Sequence, residues 1–172
     1  MTLSDKLLNA LNEQITLELT ASVVYFQLST ILNADDLPGM GGWMQAQSDE
    51  ERDHARVFTD HVLDRGGRVV VGGIDAPTVP DDGTALSAFK AALDHEKKVS
   101  EAIRDLYRLA AEEGDADSIP LLLRFIEEQV EEEATVSEIV GRLERANDDA
   151  TAILYLDSEL ASRRDGGETP EL

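Results

Sequence analysis

The stretch Met44–Phe58, MQAQSDEERDHARVF, places Met44, Gln47, Glu51, His54 and Phe58 at successive steps of three and four residues. On a helix with 3.6 residues per turn, those five side chains share one face. Both ends of the face are apolar, as a stripe directed at a core must be, and its middle carries a carboxylate and an imidazole. Spaced as Glu51-x-x-His54, the two can reach a common point. One such pair in an acidic helix is common on solvated surfaces, so its meaning depends on what the other segments carry.

Three more segments repeat the pattern. Helix A offers Leu11, Ile15, Glu18, Ser22 and Tyr25. Helix C offers Leu86, Phe89, Leu93, Glu96, Ser100 and Ile103, and helix D offers Leu122, Phe125, Gln129, Glu132, Val136, Ile139 and Leu143. Each stripe is apolar except at mid-length, where it carries an acid. Ser22 and Ser100 are small enough to be buried if each hydroxyl bonds the carbonyl one turn back. The spacing predicts helix A from the N-cap Ser4 to about Asn33 and helix B from about Met40 to Arg65. Helix C runs from the N-cap Thr84 to Glu113, and helix D ends near Arg145. Asp35, Asp36, Pro38 and Gly39 mark the first turn and Gly114 the third. Gly66, Gly67, Gly72, Gly73, Pro77, Pro80 and Gly83 keep the stretch between helices B and C out of helix. Val69–Val71 is either a short extended piece against a partner subunit or a packed loop. A short fifth helix is expected over Asp149–Ser162, with Ile153, Leu156 and Leu160 on one face.

The prediction is therefore an all-α four-helix bundle of two antiparallel hairpins joined by a long B–C crossover, with a short fifth C-terminal helix. One domain over residues 1–164 is followed by a polar flexible tail, 165–172, containing Gly166, Gly167 and Pro170. At 172 residues the chain is long enough to bury one core.

Glu18 and Glu51 are nearly equidistant from the turn at Asp35, and Glu96 and Glu132 from Gly114, so antiparallel folding brings the four acids level. Four carboxylates facing one another in an apolar interior repel strongly unless positive charge sits between them. Two divalent ions suit four carboxylates and one imidazole, with Glu51 placed to bridge. The chain has no cysteine, which leaves oxygen and nitrogen ligands, and mixed ligation with open positions favours iron or manganese over closed zinc, with iron the expected metal. Tyr25 can hydrogen-bond a ligand carboxylate, take part in electron transfer, or simply fill the core. His61 continues the helix B stripe and is expected to be packed, and His95 to lie beside the core face.

A net charge of -21 and a pI near 4.3 repel nucleic acid and anionic lipid and either gather cations or serve only to keep the protein soluble. The N-terminus lacks a basic region and an unbroken apolar stretch, which predicts a soluble cytoplasmic protein. No phosphate loop, zincin motif or nucleophile triad is present.

From Leu3 to about Ser162 the sequence resembles the non-haem bacterial and archaeal ferritins. The matching pieces, in family order, are Glu18 with Tyr25, EERDH at Glu50–His54, DHE ending at Glu96, and EEQVEEE at Glu127–Glu133. The resemblance implies iron storage by a ferroxidase, an Fe(II):oxygen oxidoreductase. One iron would be held by Glu18, Glu51 and His54, and a second by Glu51, Glu96 and Glu132 with Gln129 adjacent. Glu50, Glu128 and Glu131, with Glu132 shared, match a possible third iron position; otherwise they are part of a charged solvated flank. O2 or H2O2 would be the oxidant, and ferric mineral would collect in a homo-oligomeric shell, a 24-mer by family analogy. No haem is expected. Bacterioferritins carry a second Glu-x-x-His where this chain has Gln129 and Glu132, and a haem-binding methionine where it has Arg52. Two other readings are a non-storage peroxide-handling protein with two irons or manganese ions, and a metal-free structural bundle.

Overall fold

The computed structural model describes residues 2–80 and 82–166, with side chains through residue 162. It contains five helices: α1 Asp5–Ala34, α2 Pro38–Asp64, α3 Ala85–Glu112, α4 Ile119–Ala146 and α5 Ala150–Gly166. Among the described residues there is no strand. α1 packs along α2 and α3 along α4, α1 also meets α3, and α5 lies mainly on α2. This is the four-helix bundle with a long second connection that the spacing predicts. The last residues of the expected polar tail, 167–172, lie outside the described residues, and α5 continues past Ser162 to Gly166.

Local chemistry sets the ends. Ser4 and Thr84 are N-caps whose hydroxyls accept from Leu7 N and Ser87 N, and Gly114 takes φ +69° just beyond α3. α2 differs from expectation by starting at Pro38, with Leu37 as an N-cap that offers no side-chain bond. Proline suits the first turn of a helix because its missing N–H would have no partner there. The cap comes from elsewhere: Asp157 of α5 accepts from Met40 N at 2.7 Å. Gly39 permits this approach, since a Cβ there would stand 1.9 Å from the Asp157 carbonyl oxygen.

Two apolar clusters fill the bundle, one toward each end. The first joins Leu28, Leu32, Met40, Met44, Phe89 and Ile139 to Leu156 and Leu160 of α5. The second includes Leu7, Leu11, Phe58, Ile103, Leu122 and Phe125. On α3 the expected stripe is buried at Phe89, Glu96, Ser100 and Ile103 but differs at its edge. Leu86 and Leu93 are only partly buried, while Ala85, Ala88, Ala92 and Val99 face inward. Ser22 does not bond one turn back either. Its hydroxyl donates to Ser48 O at 2.7 Å, and Ser48 returns the bond to Ser22 O at 2.8 Å, which ties α1 to α2. α1 is apolar and long enough by composition to cross a membrane, yet it buries Gln14, Glu18, Ser22 and Ser29, so its wide apolar face is that of a core helix.

Among its described residues the crossover forms no strand. It runs along α1: Asn12 accepts from Val70 N at 3.0 Å, donates to Arg68 O at 3.1 Å, and is followed by Thr16, which accepts from Gly72 N at 2.9 Å. Val69 packs against the second cluster, whereas Val70 and Val71 are exposed. Where α2 ends, Arg65 makes a two-pronged pair with Asp115 at 3.0 and 2.7 Å, and Asp115 accepts from Ser118 N at the head of α4.

Gly39→Ala is expected to lower stability by about 1–3 kcal/mol because the added methyl meets α5 backbone. Gly141→Ala, where a Cβ meets nothing within 4 Å, is expected to be neutral or to raise stability by up to about 1 kcal/mol. Thermal melts of both variants check the contrast.

Candidate metal centre

Between the two apolar clusters the inward positions turn polar. α1 contributes Glu18, α2 contributes Glu51 and His54, α3 contributes Glu96 and α4 contributes Gln129, all buried. Their ligand atoms are close. One oxygen each of Glu18 and Glu51 and a ring nitrogen of His54 lie within 4.8 Å of one another, and so do those of Glu50, His54 and Glu128. His54 belongs to both groups. Its Nδ1 is 3.5 Å from Glu51 Oε2, an ion-pair contact without hydrogen-bond geometry, and its Nε2 is 3.2 Å from Glu128 Oε1.

Amide and hydroxyl donors hold the carboxylates from outside. Gln14 Nε2 donates to Glu18 Oε1 at 2.8 Å and Gln47 Nε2 to Glu50 Oε2 at 2.6 Å. Glu96 receives the Tyr25 hydroxyl on Oε1 and Gln129 Nε2 on Oε2, the latter at 3.1 Å. Gln129 Nε2 also lies 3.2 Å from the Ser100 hydroxyl, so Ser100, like Ser22, looks across to another helix. Three oxygens remain buried without a hydrogen-bond partner: Glu18 Oε2, Glu51 Oε2 and Glu128 Oε2. Buried polar atoms are normally paired. Orphans among five carboxylates and an imidazole fit a hard divalent cation that would take them as ligands.

Electrostatics follow from this crowding. Burial, then the charge of Glu51, raises Glu18 well above the usual carboxylate range. Burial also raises Glu51 and Glu96, against the bonds that stabilise their charge. Glu132 is pushed up to about 8 by burial, Glu50 and Glu96. Burial would depress His54, but the contacts with Glu128 and Glu51 outweigh it and lift the imidazole to about 11. The same His54 contact lowers Glu128. Without a cation, the site neutralises itself with protons.

The other residues singled out in the sequence fall as follows. Tyr25 is fully buried, 6.4 Å from the Trp43 ring and bonded to Glu96. Glu132 is half-buried and stands outside both compact groups; Glu131 is exposed and in neither. His61 is half-buried against the Ser118 hydroxyl at 2.8 Å. His95 is half-buried, and burial with Lys98 pulls it down to about 4. Sequence reading missed Gln14 and treated Gln47 as a stripe residue without a role. Gln14 lies four residues before Glu18, a spacing that brings its amide onto the carboxylate.

A family model described as "Ferritin-like domain" matches residues 8–146. The chain belongs to the ferritin family. A bacterial non-heme ferritin of Bacteroides fragilis is 40% identical over 162 residues, 94% of this chain and 99% of that one. The ferritin of Pacifastacus leniusculus is 35% identical, covering 89% of this chain and 86% of its own. Among solved structures, an open pore ferritin from Archaeoglobus fulgidus superimposes with a TM-score of 0.89 at 35% identity, covering 92% of this chain and 96% of that one. The same ferritin engineered to a closed form gives 0.89 at 36% identity. The ferritin fold thus extends over α5 as well as the four long helices.

The pKa directions carry a pH signature. Glu18, Glu51, Glu96, Glu132 and His54 all bind protons more tightly when folded. Stability from such groups is complete below their unfolded values and is lost as pH rises through the folded ones. Glu128, shifted down, matters only at the acid end. The metal-free protein is therefore expected to melt at progressively lower temperature as pH rises above the ordinary carboxylate range, through about 8 where Glu132 loses its proton and on toward about 11 where His54 does. Saturating Zn(II) should flatten the profile, since cation binding replaces those protons. Melts with and without Zn(II) measure both.

Proposed function

We propose that this chain stores iron, the function of the family to which it belongs, by oxidising Fe(II) at a two-iron site in each subunit and retaining the product as ferric mineral. The observation that carries this reading is the meeting of Glu18, Glu51 and His54, with buried oxygens on both carboxylates lacking a partner. One Fe(II) is assigned to that group. The second is assigned to Glu51, Glu96 and Glu132, with Gln129 beside them and Glu51 shared. A third position falls to Glu50, Glu128 and Glu131, with Glu132 in reach.

The chemistry asks four things of the protein. Carboxylates stabilise the higher charge of Fe(III) relative to Fe(II). Shared ligation by Glu51 keeps two ions near enough to pass two electrons to one oxidant, reducing O2 to H2O2 or H2O2 to water. Tyr25 and Gln129, by fixing both oxygens of Glu96, prevent that ligand from swinging toward His54. His54 and the raised glutamates release protons as iron enters.

The net charge of -21 concentrates Fe(II) around the protein. Storage requires a closed container, and a homo-oligomeric shell of about two dozen subunits in the cytoplasm is the assembly proposed. Domain limits of 1–164 for the metal-binding unit complete the reading. A peroxide-handling relative on the same bundle usually has a second histidine ligand. Here Gln129 and Glu132 occupy the corresponding places, and Gln129 is committed to Glu96.

The test is anaerobic loading with Fe(II) followed by O2, comparing wild type with Glu51→Ala plus His54→Ala by absorbance and particle size. Rapid oxidation, soluble mineral in a large particle and an initial rate reduced roughly tenfold or more in the double variant are expected. A small particle oxidising iron no faster than buffer would reject storage.

A further inference from the structure

Gln14 is 2% exposed and stands on α1 one turn after Leu11 and beside Ile15, both members of the apolar cluster at that end of the bundle. An amide buried there costs free energy unless it is hydrogen-bonded, whereas a leucine would extend the cluster without that cost. The amide instead donates through Nε2 to Glu18 Oε1 at 2.8 Å. Donor and acceptor sit four residues apart on one helix, so the bond needs no help from a neighbouring helix.

The buried carboxylates differ in how their oxygens are engaged. Glu96 has both bonded, to Tyr25 and to Gln129. Glu18 has Oε1 bonded and Oε2 without a partner, and Glu51 Oε2 is also without one. A carboxylate can hold a cation through one oxygen or through both. The rotation that decides between the two is broad for a free glutamate. A hydrogen bond to Oε1 fixes that rotation and occupies the oxygen that a second bond to the cation would need.

We infer that Gln14 is a positioning residue that makes Glu18 a one-oxygen ligand, and thereby sets which ions the group of Glu18, Glu51 and His54 accepts. The inference rests on the proposed assignment of a cation to that group. With Glu18 held to one oxygen, the group offers few oxygens and one imidazole nitrogen. That set suits a first-row transition ion, which bonds imidazole well and keeps positions open for an oxidant. It suits Ca(II) poorly, because Ca(II) takes about six to eight oxygens and gains from each carboxylate that binds through both. Released from Gln14, Glu18 can turn both oxygens to one ion, and the preference narrows. Such discrimination is needed here, since a net charge of -21 gathers divalent cations of every kind.

Co(II) and Ca(II), added to the full-length protein, are the probes. Co(II) bound to nitrogen and oxygen ligands absorbs in the visible, and Ca(II) competes without absorbing. Glu51→Ala plus His54→Ala gives the background from other acids. Gln14→Met keeps the length of the side chain and removes the donor. It is expected to shift the absorption band, to weaken Co(II) roughly 10- to 100-fold and to leave Ca(II) bound as tightly as before or more so. The ratio of the two affinities therefore falls by roughly tenfold or more. A side chain that served only to support the fold would weaken both ions alike and leave the ratio where it was.

A ratio that stays at the wild-type value, whether both affinities hold or both fall, overturns the inference. If wild type shows no Co(II) band beyond that of the double variant, the assignment of a cation to this group fails first and takes the inference with it. Circular dichroism and particle size show whether Gln14→Met has folded. Gln14→Leu, shorter and equally without a donor, is read in its place if it has not.

Discussion

Carboxylates cannot share an apolar interior as bare anions, and most features of this bundle answer that constraint. Glu18, Glu51 and Glu96 are buried where two hydrophobic clusters leave a polar gap. Burying any one of them ionised and unpaired costs several kcal/mol. The apolar ends provide the energy that tolerates this middle layer, and the donors Gln14, Tyr25 and Gln129 reduce its cost without filling it. The protein does not satisfy every oxygen. Glu18, Glu51 and Glu128 each keep one buried oxygen without a hydrogen-bond partner.

The same layer explains why the helices are so close. α1 and α2 approach through reciprocal serine bonds between Ser22 and Ser48 and through Ser29, whose hydroxyl donates to Gly41 O at 2.7 Å. On α3, Ala92 and Ser100 are the small buried residues one turn to either side of Glu96. Small residues flanking the acids let four backbones converge, so carboxylates of ordinary length reach a common point. Large aliphatic side chains at those positions would fill the space that the acids require.

Much of this arrangement was legible in the sequence, for a definite reason. Glu51 and His54 lie on a stripe whose apolar ends, Met44 and Phe58, fix its phase, and Gly114 and the Gly/Pro-rich crossover break the chain where helices must stop. On α3 the predicted stripe is right at Phe89, Glu96, Ser100 and Ile103, but its edge is not: Leu86 and Leu93 are only partly buried, and Ala88 and Ala92, too small to stand out in the sequence, take the inner places beside them. Pro38 is itself a local signal for a helix start, but beside Asp35, Asp36 and Gly39 it reads as part of the turn, and the cap that completes the start comes from Asp157, distant in sequence. The bonds of Ser22 and Ser100 run between helices and are likewise invisible to a reading made one helix at a time. Spacing also separates the adjacent acids Glu131 and Glu132: Glu132, on the inward stripe, is half-buried, whereas Glu131, off it, is exposed.

The contact between Gly39 and Asp157 joins the start of the second helix to the fifth, with backbone against backbone and one carboxylate on an otherwise open N–H. The obstacle to a larger residue at 39 is the carbonyl group of residue 157, which any amino acid there would carry, so a substitution at 157 cannot make room for a side chain at 39. A chain that dispenses with its fifth helix is released from glycine there and must find its own cap for α2 within the turn that precedes it.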